Sequence, residues 1–290
     1  GITMIKISYY PACYNWAFTI VHDADDSYSL RLKPIIDCFN KYSIKSSITV
    51  FPFWDESKKN KILKDIESGE PLLPKCVPLE YEPELDFYKN ITKDGHEIGL
   101  HTASDGHDKR EVIERAFEFY KEKFTYYPPI YVEHRDNLQN MQFSGSDAFS
   151  DYYVVDILNK YQPWVWIVSP SAIPYEGKGE YFNVLSSQMP IFGSFSARAW
   201  GVFKEFVKTR KIDKKNGRYY ELFRKGGSPF DLLAKEKYGL AKTFRRSGRQ
   251  AGADGDGFVK WYCDEHIKAL DATGGLAIVY THLNTKWLEK

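Results

Sequence analysis

With 290 residues the chain is long enough for one large domain or two small ones, and its 43% hydrophobic and 27% charged residues are those of an ordinary globular protein. A formal net charge of +1 leaves no overall field to steer it to nucleic acid or to an anionic membrane, and no apolar run approaches the roughly 18 residues of a transmembrane helix. The four cysteines, Cys13, Cys38, Cys76 and Cys263, form no Cys-x-x-Cys pair, so neither a zinc knuckle nor a disulfide framework is signalled. Aromatic residues are plentiful at 16%, which suits stacking on sugar faces and equally suits a large aromatic core. The opening Gly1-Ile2-Thr3-Met4 reads as the remnant of a cleaved tag. If an export signal was removed ahead of it, a periplasmic or extracellular location is expected, and otherwise a cytoplasmic one.

In chain order, residues 16–21 form an apolar, β-branched run that stops at His22-Asp23-Ala24-Asp25-Asp26, so a first strand is expected to carry acids at its C-terminal end. Leu32, Ile35, Ile36, Phe39 and Tyr42 then recur at helical spacing, and a second strand follows at 46–51. Strand, helix and strand with short joints make a βαβ unit, which implies parallel pairing. A polar helix is expected at 58–68 and another at 84–92, ended near Gly95. A strand at 97–100 runs into His101, and the alternation continues with a helix at 111–124, a strand at 130–132, a helix at 152–161 and a strand at 164–168.

From 204 to 249 the chain turns basic, with 15 Lys or Arg against 5 Asp or Glu, and is read as an insertion of helices and loops at about 201–257. Tyr219, Tyr220, Phe223, Phe230 and Phe244 stand among the cations, a mixture that suits an anionic glycan better than RNA or DNA, although most charge runs are solvated faces. A helix at 259–270 and a last strand at 276–280 lead to His282. The whole is a single α/β domain with a mostly parallel sheet, and in a parallel barrel the C-terminal strand ends share one face.

Three strands ending in Asp, His and His carry the chemistry. Asp23, Asp25 and Asp26 crowd like charges into four residues, for which a divalent cation is the natural partner, although a solvated Asp-rich turn has the same composition. His101 and His107 leave one strand end, and one Asp with two His leaves an open position on a catalytic ion, although two loop histidines look the same.

Together these segments resemble the NodB-like polysaccharide deacetylases, carbohydrate esterase family 4. Thr19-Ile20-Val21-His22-Asp23-Ala24-Asp25-Asp26 occupies the place of the family's Thr-Phe-Asp-Asp-Gly. Gly95-His96-Glu97-Ile98-Gly99-Leu100-His101-Thr102 resembles the approach to its His-Ser/Thr-x-x-His motif, and Ile278-Val279-Tyr280-Thr281-His282 its last strand. The resemblance runs in order from about residue 16 to 284.

It implies a distorted (β/α)7 barrel, an ion held by Asp-His-His (Zn²⁺, with Co²⁺, Ni²⁺ or Mn²⁺ as other candidates), an Asp base, a late His acid and a carbohydrate substrate, anionic if the basic insertion contributes. On these positions it suggests Asp23 as base, Asp25, His101 and His107 as ligands, His282 as acid and Arg135 as the residue orienting the base. The second motif has Asp105 at i+4 in place of His, so Asp26, Asp105 and His134 remain alternative ligands. Trp164 and Trp166 share one side of their strand and are candidates for the floor of a sugar pocket or for core. A non-catalytic glycan-binding protein on the same scaffold and a hydrolase of a non-sugar C–N bond are the competing expectations.

Overall fold

The computed structural model describes residues 14, 17–23, 25, 28–68, 76–134, 137–141, 148–166, 230–235, 239–244, 264, 268 and 276–283. Asp26, Arg135, most of the helix expected at 259–270 and most of the basic stretch, including Tyr219, Tyr220 and Phe223, lie outside these residues.

Eight strands form one sheet: β1 (Ala17–His22), β2 (Ser46–Val50), β3 (Glu97–His101), β4 (Ile130–Val132), β5 (Trp164–Trp166), β6 (Phe230–Lys235), β7 (Gly239–Phe244) and β8 (Leu276–Thr281). Their order is β6-β7-β5-β4-β3-β2-β1-β8. Every neighbouring pair is parallel except β6 with β7. Seven strands therefore run in one direction, as a (β/α)7 architecture requires, and β6 returns antiparallel on the edge.

Helices α1 (Ser29–Lys41), α2 (Glu56–Ser68), α3 (Glu82–Lys93), α4 (Arg110–Phe124) and α5 (Val155–Tyr161) connect the strands. α1 buries Leu32, Ile35, Ile36 and Phe39, the stripe read from the sequence, while Tyr42 lies just past its end and is exposed. None of the helices among the described residues is long and apolar enough to cross a membrane.

Side-chain alternation divides the sheet into two faces. Ile20, Ile48, Val50, Ile98, Leu100, Tyr131, Val165 and Val279 join the helices in the large core. The intervening residues Val21, Ile130, Val132, Trp166, Ile278 and Tyr280 form a second cluster. In the flat strand order β5 and β8 stand five places apart, yet Trp166 stacks on Tyr280 with ring centroids 3.9 Å apart. The sheet therefore curls until β8 and β5 meet across its concave side, which is the incompletely closed barrel expected of this sequence. Two strands occur where helices and loops were expected in the basic stretch. Phe230-Asp231-Leu232-Leu233-Ala234-Lys235 is a short apolar run, and its hairpin partner docks against β5, a long-range pairing that the surrounding charge conceals.

Candidate active site at the strand ends

Strand register brings the acidic cluster to the centre of the C-terminal face. β1 and β8 pair with His22 opposite Thr281, so the next residues, Asp23 and His282, emerge side by side, and the Asp23 amide donates to the Thr281 carbonyl at 2.9 Å. Alternation sends His22 to the helix side and Asp23 to the concave side. His22 is accordingly a buried structural residue: its Nδ1 accepts from the Leu283 amide at 2.9 Å, and burial pushes its pKa down to about 3. Asp25 is folded over Asp23, its amide donating to Asp23 Oδ1 at 2.9 Å.

β3 delivers His101, fully buried and packed edge-on against Phe51 at 4.9 Å. Directly after it Thr102 adopts φ 55°, a left-handed conformation that costs a β-branched residue about 1–3 kcal/mol and is commonest at functional sites. The Thr102 amide bonds to the Val132 carbonyl and its hydroxyl to the Ser104 carbonyl, holding the turn. Two residues beyond β4, His134 turns inward.

Asp25, His101 and His134 meet here, with one ligand atom from each within 4.8 Å of the others. His134 Nε2 lies 2.9 Å and His101 Nε2 3.6 Å from Asp25 Oδ1, and His101 Nε2 is 3.1 Å from Asp23 Oδ1. Neither Nε2 makes a hydrogen bond, although both are buried. The rings stand close to the carboxylates without aligning on them, the arrangement expected when donors are aimed at a shared point between them. The donor chemistry, two imidazoles and a carboxylate with a second carboxylate alongside, fits a borderline divalent ion such as Zn²⁺.

The charges favour a cation in the same way. Burial would raise the Asp23 carboxyl, but His101 and His282 more than reverse this and hold it below the usual carboxylate range. Asp25 is likewise lowered against its own burial by His101 and His134. His101, which burial would depress, is drawn above the usual imidazole value by Asp23 and Asp25.

Asp23 is held on its other oxygen. Tyr280 donates its hydroxyl to Asp23 Oδ2 at 2.5 Å, and His282 Nε2 lies 3.2 Å from the same atom. Tyr280 is itself fixed by its stack on Trp166. Tyr280 was not among the site residues expected from the sequence. Its signal was its place two residues before His282, on the same side of β8 by the period of two.

Of the other expected residues, His107 is exposed, and its Nδ1 accepts from the Leu138 amide at 3.3 Å, so it joins two loops outside the cluster. Asp105 pairs with Lys58 at 2.6 Å, which neutralises its charge, while its second oxygen stands 3.6 Å from His134 Nε2. Trp166 is joined to the site through its stack on Tyr280. Trp164 is at the start of β5, the end away from the site, with the Lys242 ammonium 5.6 Å from its ring centroid.

What fold and site define is a curled, mostly parallel α/β sheet with a buried Asp-His-His cluster at its C-terminal strand ends. The solved structures it is similar to include a CE4 family pseudoenzyme, BA3943 of Bacillus anthracis, with TM-score 0.34 and 12% identity over 94% of this chain and 66% of that one. A BA3943 mutant with restored enzymatic activity gives TM-score 0.34 and 12% identity over 91% and 65%. A mutant of the peptidoglycan deacetylase PdaC from Bacillus subtilis gives TM-score 0.31 and 12% identity over 91% and 86%. The chain thus spans about 65% of the length of the BA3943 structures. No family model and no curated protein matches the sequence.

Proposed function

We propose that the chain is a metal-dependent hydrolase that removes an acyl group, N-acetyl in the first instance, from a carbohydrate amine. The observation that carries this reading is the convergence of Asp25, His101 and His134, two of their nitrogens buried without a hydrogen bond, beside a second carboxylate held by Tyr280 and faced by His282. The family motifs read in the sequence supply the substrate class. A divalent ion held by Asp25, His101 and His134 would supply Lewis acidity toward the acyl carbonyl and toward water.

The chain's own groups do the rest. Asp23, kept ionised by its histidine neighbours, takes a proton from the attacking water through Oδ1 while Tyr280 and His282 hold Oδ2. His282 is partly open to solvent and delivers a proton to the leaving nitrogen as the C–N bond breaks, giving a carboxylate and an amine. His134 takes the ligand place first assigned to His107, and Arg135, outside the described residues, keeps its expected part in orienting the base.

The test is acetate release from N-acetylated oligosaccharides and a panel of other acylated amines, before and after chelation and with Zn²⁺ or Co²⁺ restored, alongside calorimetric metal uptake. Asp23→Asn should lower turnover by about 10²–10⁴-fold and still take up metal. Asp25→Ala and His134→Ala should lose uptake, and His107→Ala should keep it. Turnover indifferent to chelator, or uptake lost in His107→Ala and kept in His134→Ala, defeats the proposal; glycan binding without turnover identifies a binding protein instead.

A further inference from the structure

A sulfur stands at the edge of the cluster. Cys76, Asp25 and Asp105 place one ligand atom each within 4.8 Å of one another, so Asp25 belongs both to this group and to the one it forms with His101 and His134. Cys76 is reduced and half-buried. Its position is secured by the segment that follows it: Val77 packs with Trp54 and Ile62, the Leu79 amide bonds to the Phe51 carbonyl, and the Glu80 amide to the Pro52 carbonyl. Glu80 also accepts from the Trp54 amide, so this strip of chain is stitched along the C-terminal end of β2, beside the site.

Three donors leave a fourth position on a tetrahedral ion. Asp105 is poorly suited to fill it, because Lys58 already neutralises it. We propose that the Cys76 sulfur enters as that fourth donor, so that Asp25, His101, His134 and Cys76 form a mixed carboxylate, imidazole and thiolate set in which the sulfur competes with water for the ion. The inference rests on the metal site proposed above, and on the buried His101 and His134 nitrogens aimed into it. Two donors on one ion stand about 3.5 Å apart, given Zn–S near 2.3 Å and Zn–N near 2.0 Å. The sulfur lies within 4.8 Å of an Asp25 ligand oxygen but is grouped with neither histidine, so coordination requires the Cys76 side chain to close toward the ion that Asp25 shares with them. As the metal–sulfur bond forms, the thiol proton passes to solvent. A thiolate makes the set softer and favours Zn²⁺ or Co²⁺ over Mn²⁺.

The experiment loads the full chain with Co²⁺ and records the ultraviolet thiolate-to-metal charge-transfer band together with the weaker visible bands of the bound ion. In parallel, alkylation by iodoacetamide is followed at each cysteine by peptide mass spectrometry. The wild type should show the charge-transfer band, and Cys76→Ser should take up one Co²⁺ without it. Bound metal should slow alkylation of Cys76 and leave exposed Cys38 unaffected. One Co²⁺ per chain with the same ultraviolet spectrum in wild type and Cys76→Ser, and no protection of Cys76, overturns the inference while leaving the Asp-His-His site standing. Failure of both proteins to bind Co²⁺ overturns the two together.

Discussion

Burial brings the Glu84 carboxyl up to about 7 from 4.5, although the Ser29 amide and hydroxyl both donate to it at the start of α1. Glu84 thereby caps from α3 the helix that follows the Asp23 and Asp25 loop. Because the folded pKa lies above the unfolded one, the native state keeps a proton between these values that the unfolded chain has released. This group's contribution to stability is therefore fully favourable below about 4.5, falls as pH rises through the window to about 7, and stays low above it. At 1.36 kcal/mol per unit the loss is about 3 kcal/mol. Glu84→Gln cannot ionise, so denaturant melts at several pH values should show the variant gaining on the wild type between pH 5 and 8. Parallel pH profiles for the two proteins would show that Glu84 ionises as freely in the fold as out of it.

Among the elements, β3 has the strictest geometry. Ile98 and Leu100 face the helices, leaving Gly99 and His101 on the concave side. A Cβ at Gly99 would stand 2.9 Å from both the Cβ and the carbonyl oxygen of Ile130, so β4 lies as close as it does only because the side chain is missing. That approach sets where His134, two residues past β4, meets His101. Gly99→Ala is expected to cost about 1–3 kcal/mol through overpacking against backbone, and to weaken metal uptake by moving the two histidines apart. Equilibrium unfolding and calorimetry measure the two effects. An alanine variant that unfolds and binds metal like the wild type would show that the strands separate freely at this point.

For the molecule as a whole, the proposed ligands Asp25, His101 and His134 end or follow β1, β3 and β4, so an ion bound there would cross-link strands that are distant in sequence. A ligand that binds only the folded state adds RT ln(1 + [L]/Kd), about 2.7 kcal/mol at a hundredfold excess over Kd. Zn²⁺ should therefore raise the thermal midpoint of the wild type, chelator should reverse the rise, and His101→Ala should show none. An equal rise in His101→Ala would place the stabilising ion elsewhere.

Much of this architecture is local and so was legible in the chain. Strand ends and helix stripes follow from periodicity: β2, β3, β4 and β8 fall within a residue of their expected bounds, and α1 buries the four apolar residues that its spacing picks out. Asp23, Asp25, His101 and His282 were legible for the same reason, as each ends or follows a recognisable strand. The choice between His107, the expected ligand, and His134, the alternative, was not, because both are loop residues beyond a strand end and spacing alone does not show which of them reaches the cluster. It depends on how the loops after β3 and β4 are tied together: Asp108 accepts from the Ala103 and Ser104 amides, and Asn137 and Gln139 both donate to the Gly106 carbonyl. Those bonds from Asn137 and Gln139 span some thirty residues and exist only in the folded chain. The hydrogen bond of Tyr280 to Asp23 and the nearness of Cys76 to Asp25 are of the same kind. Short-range pattern tells which residues end strands, whereas the curl of the sheet and the knotting of its loops select which of them face one another.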